Sequence, residues 1–219
     1  MKSQQSKKTE TKISFQTVGK YLRELSVVVI GVIITFAISF WVYNKNNEKD
    51  LKLYLNALKL ELEDNIKIID AETEYLENCE RYSRYLLSHD KKSLNADSIQ
   101  KMWKKFDVLN IKDVIVQTSA FDMFKLSGTM RLVDDKELLQ SVWKAYSNLE
   151  LLKIHLDNYY QLKMDEAKKE RQMGLEGKPV VIPLYNFFIT YTNDIKPSNG
   201  CIMLSKALKE TVARLDKKL

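Results

Sequence analysis

Glycine and proline are scarce in this chain of 219 residues, which holds six Gly and three Pro. A phosphate-cradling loop or a dinucleotide fingerprint needs several glycines close together, and a nucleophile elbow needs G-x-S-x-G; no stretch here supplies either. The two cysteines, Cys79 and Cys201, show no C-x-x-C or other metal spacing. The two histidines, His89 and His155, lie far apart, and neither has a carboxylate or a second His at i+4. A zinc-binding helix is therefore excluded. No catalytic residue, cofactor site or metal site is expected, and the chain is not read as an enzyme. The same scarcity of Gly and Pro favours long helices over many short strands and turns.

A strongly basic face is also lacking. The net charge of +6 is concentrated in residues 1–24, where six basic residues oppose Glu10 and Glu24 and leave +4. The remaining 29 basic and 27 acidic residues nearly cancel. Nucleic-acid binding is thus not expected. Composition is otherwise that of an ordinary globular chain, 45% hydrophobic and 29% charged, long enough to bury a core.

What the sequence does have is LSVVVIGVIITFAISFWVY, residues 25–43, nineteen positions without a charge. At 1.5 Å per residue such a helix spans roughly 28 Å, close to the hydrocarbon thickness of a bilayer. A buried strand is far shorter, and a lone strand in lipid would leave its backbone unpaired. Tyr21 and Arg23 stand near one end and Trp41 and Tyr43 at the other, as interfacial anchors should. Ala37-Ile38-Ser39 resembles a cleavage site, but the run exceeds the usual signal-peptide core and bulky residues follow it. The reading is an uncleaved single-pass anchor. Five Lys/Arg in residues 5–24 against four in residues 44–63 favour a cytoplasmic N-terminus and an outer C-terminal domain. Gly31, Thr35 and Ser39 line one face of this helix, a packing stripe that allows a homodimer and that equally relieves crowding among Val and Ile.

The expected fold is all-α. A basic cytoplasmic tail (1–24) and a transmembrane helix (25–43) precede an elongated helical-bundle domain (44–219). Leu51, Leu55, Leu58, Leu62, Ile66, Ile69, Leu76 and Cys79 form an apolar stripe, interrupted by Asn65 and Glu72, that predicts a core-facing helix. A second helix is expected to be capped by Asp97 with Gln100, burying Ile99, Met102, Trp103 and Phe106. In SAFDMFKLSG (119–128), Ser119 and Asp122 read as a capping box and Gly128 as the left-handed stop. Phe121, Met123, Phe124 and Leu126 cover most of that helix's circumference, which predicts burial all round. Asp134 and Glu137 read as another capping box, with Val133 and Leu138 as staple. The helix they open runs to about Met173 and carries Val142, Trp143, Tyr146, Leu149, Leu152, Leu156, Tyr159 and Tyr160. All three prolines fall between Gly174 and Gly200, where VVIPLYNFFITY suggests a short extended piece. A last amphipathic helix, about Ile202–Lys217, uses Leu204, Leu208, Val212 and Leu215.

The carboxylate pairs Glu61/Asp64 and Glu72/Asp70 read as solvated helix-surface charge rather than acid–base dyads. His155 reads as a satisfied structural imidazole and His89 as exposed in the turn SHDKK. Cys79 sits on the apolar stripe, so two buried or reduced thiols are favoured over a Cys79–Cys201 disulfide, which an outer location would permit.

Two stretches carry a resemblance. KYLRELSVVVIGVIITFAISFWVYNKNNEKDLKLYLNALKLELEDNI resembles the N-terminus of small bacterial single-pass membrane proteins of unknown function. It shares their Lys-Tyr-Leu start, V-V-I-G membrane segment and L-x-x-E-L-x-x-N helix, here Leu58, Glu61, Leu62 and Asn65. TSAFDMFKLSGTMRLVDDKELLQSVWKAY is similar to a second element of the same family, at Ser119, Ala120, Phe121, Phe124, Lys125, Ser127 and Gly128, then Asp135–Leu138. The family commonly has Asn where this chain has Ser39 and Tyr43. The resemblance implies a bacterial inner or plasma membrane location and this architecture, and no reaction, cofactor or catalytic residue. Two functions follow as expectations: a membrane-anchored envelope protein that binds another protein or is structural, and, alternatively, an extracytoplasmic ligand-sensing domain that signals through a partner.

Overall fold

The computed structural model describes the backbone of residues 15–219, apart from 92, 112, 179 and 181, and side chains from Arg23 onward. Most of the basic tail, and the side chain of the anchor Tyr21, lie outside the described residues. Among them every regular element is helical: α1 (Phe15–Leu87), α2 (Ala96–Phe106), α3 (Ser119–Leu126), a 3-10 turn (Thr129–Leu132), α4 (Lys136–Leu175), a π-helix (Phe187–Thr192), α5 (Asn193–Ile195) and α6 (Ser198–Asp216). The chain divides into two compact units, residues 1–49 and 50–219. Between Gly31 and Gly128 it contains neither Gly nor Pro, so nothing intrinsic interrupts α1.

In the first unit, each large apolar side chain from Leu25 to Tyr43 is at least 43% exposed. By length and composition α1 is apolar enough there to cross a membrane.

In the second unit, the stripe of α1 is core. Leu58, Leu62, Ile69, Leu76 and Cys79 are fully buried, and Leu138, Val142, Leu149 and Leu156 of α4 and Leu204, Leu208 and Leu215 of α6 are buried with them. Trp143 departs from the expected stripe and is 43% exposed, standing edge-on to Phe121 at 5.1 Å.

Helix starts differ from the local reading. Asn95, extended at φ −92°, caps α2 by accepting from Ser98 N, and Asp97 falls inside the first turn, where the helix dipole favours a carboxylate. Asp135 caps α4 through Leu138 N at 2.9 Å, one residue later than Asp134. The Ser119/Asp122 box does not form: α3 begins at Ser119 and its own N-cap side chain, Thr118, makes no capping bond to the backbone. Gly128 does adopt the left-handed stop, at φ 71°. α3 is buried on one side only. Phe121 and Phe124 face the core, whereas Met123 is exposed and Leu126 is 88% exposed.

From Ile182 onward, VVIPLYNFFITY is turn and helix rather than extended. Phe187 and Phe188 are both fully buried, and in a strand they would point to opposite faces. The π-helix lets Phe187 meet Tyr159 of α4 (5.0 Å between ring centroids) while Phe188 meets Tyr82 of α1 (4.9 Å). Ser83 of α1 donates to the Phe188 carbonyl at 2.6 Å and ties the segment down. The last helix opens at Ser198, four residues earlier than expected.

Candidate functional site

Polar side chains on the core side of α1 reach to almost every other element. Glu61 accepts from Ala120 N at 2.7 Å, from Phe121 N at 3.3 Å and from the Tyr146 hydroxyl at 2.7 Å. Asn65 donates to the Gln117 carbonyl (2.7 Å) and accepts from Gln117 N (2.8 Å), satisfying both backbone groups of one residue. The N-terminus of α3, lacking a cap of its own, is thus capped by a carboxylate of α1, whose charge suits the positive end of the helix. Glu80 does the same for α6, accepting from Ser198 N (3.1 Å) and its hydroxyl (2.6 Å). Asp70 accepts from Ser205 at 2.5 Å and pairs with Lys209 at 2.9 Å; burial works against its ionised form, but these two partners outweigh it and lower its pKa. Glu61 and Glu72 are therefore buried and engaged, not solvated surface charge, while Asp70 is the exposed member of its pair.

The deepest polar cluster surrounds Lys163, a lysine with 0% exposure. α4 projects Tyr159, Tyr160 and Lys163 inward, and α1 supplies Glu72, Tyr75 and Cys79 at helical spacing. The Lys163 ammonium donates to the Tyr75 hydroxyl oxygen (2.5 Å) and to the Val108 and Asn110 carbonyls (2.6 Å each). Tyr75 in turn donates to the Asn110 carbonyl, and Tyr160 to Glu72. The rings of Tyr75, Tyr160 and Phe188 lie 5.2–6.0 Å from the amine, within cation–π range. The backbone between α2 and α3 is shaped for this contact, turning at Asp107 with φ 51° so that both carbonyls face the amine.

Burial raises the pKa of Tyr75, Tyr159 and Tyr160, holding all three phenols protonated. Burial also pushes the Cys79 thiol up to about 11, against the pull of the Lys163 charge, and the Cys201 thiol up to about 12. Both cysteines are free and buried. The Tyr75 hydroxyl and the two carbonyls take up the hydrogen-bonding capacity of the Lys163 amine. Chemically the arrangement fixes the loop at 107–110 onto α1 and α4.

Of the residues singled out on the apolar helix, Gly31, Thr35 and Ser39 are exposed, and the Thr35 hydroxyl donates to the Gly31 carbonyl at 2.8 Å. A Cβ on Gly31 would meet nothing within 4 Å. Arg23, Trp41 and Tyr43 are exposed too, with the Lys45 amine 5.0 Å from the Trp41 ring. His155 is exposed rather than structural; His89 is exposed as expected, its Nδ1 2.9 Å from the Tyr85 carbonyl. Among the described residues no three of His, Cys, Asp and Glu converge on a metal-sized site. Lys163 escaped the sequence reading, although it follows Tyr160 by three residues and Tyr159 by four. A charge standing on an apolar stripe was its signal. Searches against protein families, curated proteins and solved structures return no match for the chain.

Proposed function

We propose that this is a membrane-anchored helical domain that acts by docking another protein on the outer face of α4. The observation that carries the reading is the placement of Trp143, Leu151 and Ile154, all large, apolar and at least 43% exposed. At about 100° per residue they fall within an arc of about 80° on one face of the helix. A tryptophan amid aliphatic residues is the composition that interface cores favour over ordinary surface.

The uncharged run with its aromatic ends supports anchoring in a bacterial inner or plasma membrane, and the Lys/Arg bias supports a cytoplasmic N-terminus with the domain outside. The stripe Gly31, Thr35 and Ser39 supports helix pairing, and on this reading Gly31→Ile weakens a membrane two-hybrid signal. A photo-crosslinking residue at Ser147, which is exposed between Trp143 and Leu151, tests the docking face in intact membranes. A discrete heavier band lost on Ile154→Lys is expected. No band, or a band indifferent to Ile154→Lys, removes the docking face.

A further inference from the structure

A groove of about 280 Å³ runs between α4 and the turn that leads into α6. Its apolar surface comes from Leu152 and Leu156 of α4, both buried, and from Ile195, which is 54% exposed. Its polar lining is His155, Asn158, Lys196 and Asn199. No carboxylate lines it, whereas two other cavities of the domain include Glu210 together with Glu137 or Asp70. The nearest acids in sequence are already engaged: Asp157 accepts from Lys153 at 2.5 Å, and Asp194 from the Asn193 side-chain amide at 3.2 Å.

Lys196 forms no ion pair among the described residues and is exposed. Its backbone is held at φ 46°, ψ 64°, with its N–H donating to the Thr192 carbonyl at 3.2 Å. A lysine rarely adopts that conformation, and such strain gathers at ligand clamps. Tyr159, which also lines the groove, is fixed there by its 3.0 Å hydroxyl contact with Thr192.

We propose that the groove binds a small amphiphilic carboxylate, its apolar body against Leu152, Leu156 and Ile195 and its head at Lys196 and the amides of Asn158 and Asn199. An aliphatic floor with cationic and amide donors at the mouth, and no competing acid, is complementary to that class and repels an amphiphilic amine. The groove shares no residue with Trp143, Leu151 and Ile154, although Asn158 follows Ile154 by one turn, and ligand labelling and protein crosslinking are read separately, so either can fail alone.

The test uses the full chain in lipid nanodiscs and a photoreactive diazirine derivative of octanoate. Label on residues 152–162 and 195–200 is expected, displaced by excess octanoate and untouched by octylamine. Lys196→Glu should lower that label about ten-fold. Gly200→Leu should abolish it, because a Cβ there already sits 3.5 Å from the Leu152 side chain and a longer group fills the groove. A melting curve by circular dichroism shows that each variant is folded, and Lys196→Glu, at the surface, decides if Gly200→Leu is not. Label confined to residues 25–43, equal displacement by octylamine, or label that survives Lys196→Glu overturns the proposal.

Discussion

Three buried ionisable residues, Glu61, Glu72 and Lys163, hold the second unit together by reaching groups that would otherwise be unsatisfied. Removing one end of such a contact leaves the other buried and unpaired, which costs more than the contact contributes. Glu61→Ala should destabilise the protein by about 3 kcal/mol in urea denaturation. Lys163→Met keeps the volume but strips a donor from the Val108 and Asn110 carbonyls, so about 2 kcal/mol is expected. Protease cutting near residue 110 should rise with it, and a stability equal to wild type would show the amine to be dispensable. The thiols give a pH signature. Cys79 is raised from 9.0 to about 11 and Cys201 from 9.0 to about 12, so the folded state holds these protons more tightly than the unfolded. That stability is complete below pH 9 and is lost as pH rises towards 11–12, and the buried tyrosines act in the same direction. Denaturation at pH 8, 9 and 10 should show a declining midpoint. A thiol reagent at pH 7.5 should find no reactive cysteine until denaturant exposes both; prompt reaction in the native state would contradict the burial.

At the scale of elements, helices α3 and α6 are started by carboxylates from a third helix. That is why the cap of α3 and the start of α6 were illegible in the sequence. Local rules look for a cap three residues away, whereas Glu61 lies 59 residues from Ala120 and Glu80 lies 118 from Ser198. What was legible depended on periodicity. The stripe from Leu51 to Cys79 and the reach of α4 as far as Met173 follow from 3.6-residue spacing without Gly or Pro. The stop at Gly128 follows from its freedom at φ 71°. Four large apolar residues in α3 did not reveal which of them pack, because a short helix against one neighbour buries one face only. The same asymmetry makes a sharp prediction. Phe124→Ala should cost about 3–5 kcal/mol as a core cavity, whereas Leu126→Ala should change stability by no more than about 0.5 kcal/mol. Equal effects would mean that α3 is oriented otherwise. The π-helix was illegible for a different reason: its choice over a strand is set by the slots that Tyr159 and Tyr82 offer to Phe187 and Phe188.

At the scale of the molecule, the large apolar side chains of residues 25–43 are exposed, whereas residues 50–219 bury a core of their own. Residues 25–43 match a bilayer in length and lack any charge, while residues 50–219 have a continuous core of their own. By length and composition the first is apolar enough to cross a membrane, whereas the second buries its apolar surface in a core as a chain in water does. The sharpest test is alkaline carbonate extraction of membranes carrying either the whole chain or the fragment 50–219. The whole chain should stay in the membrane pellet while the fragment appears in the supernatant with a helical circular-dichroism spectrum. Release of the whole chain by carbonate, or a fragment that remains with the membrane, would contradict the division into an anchor and a separately folded helical domain.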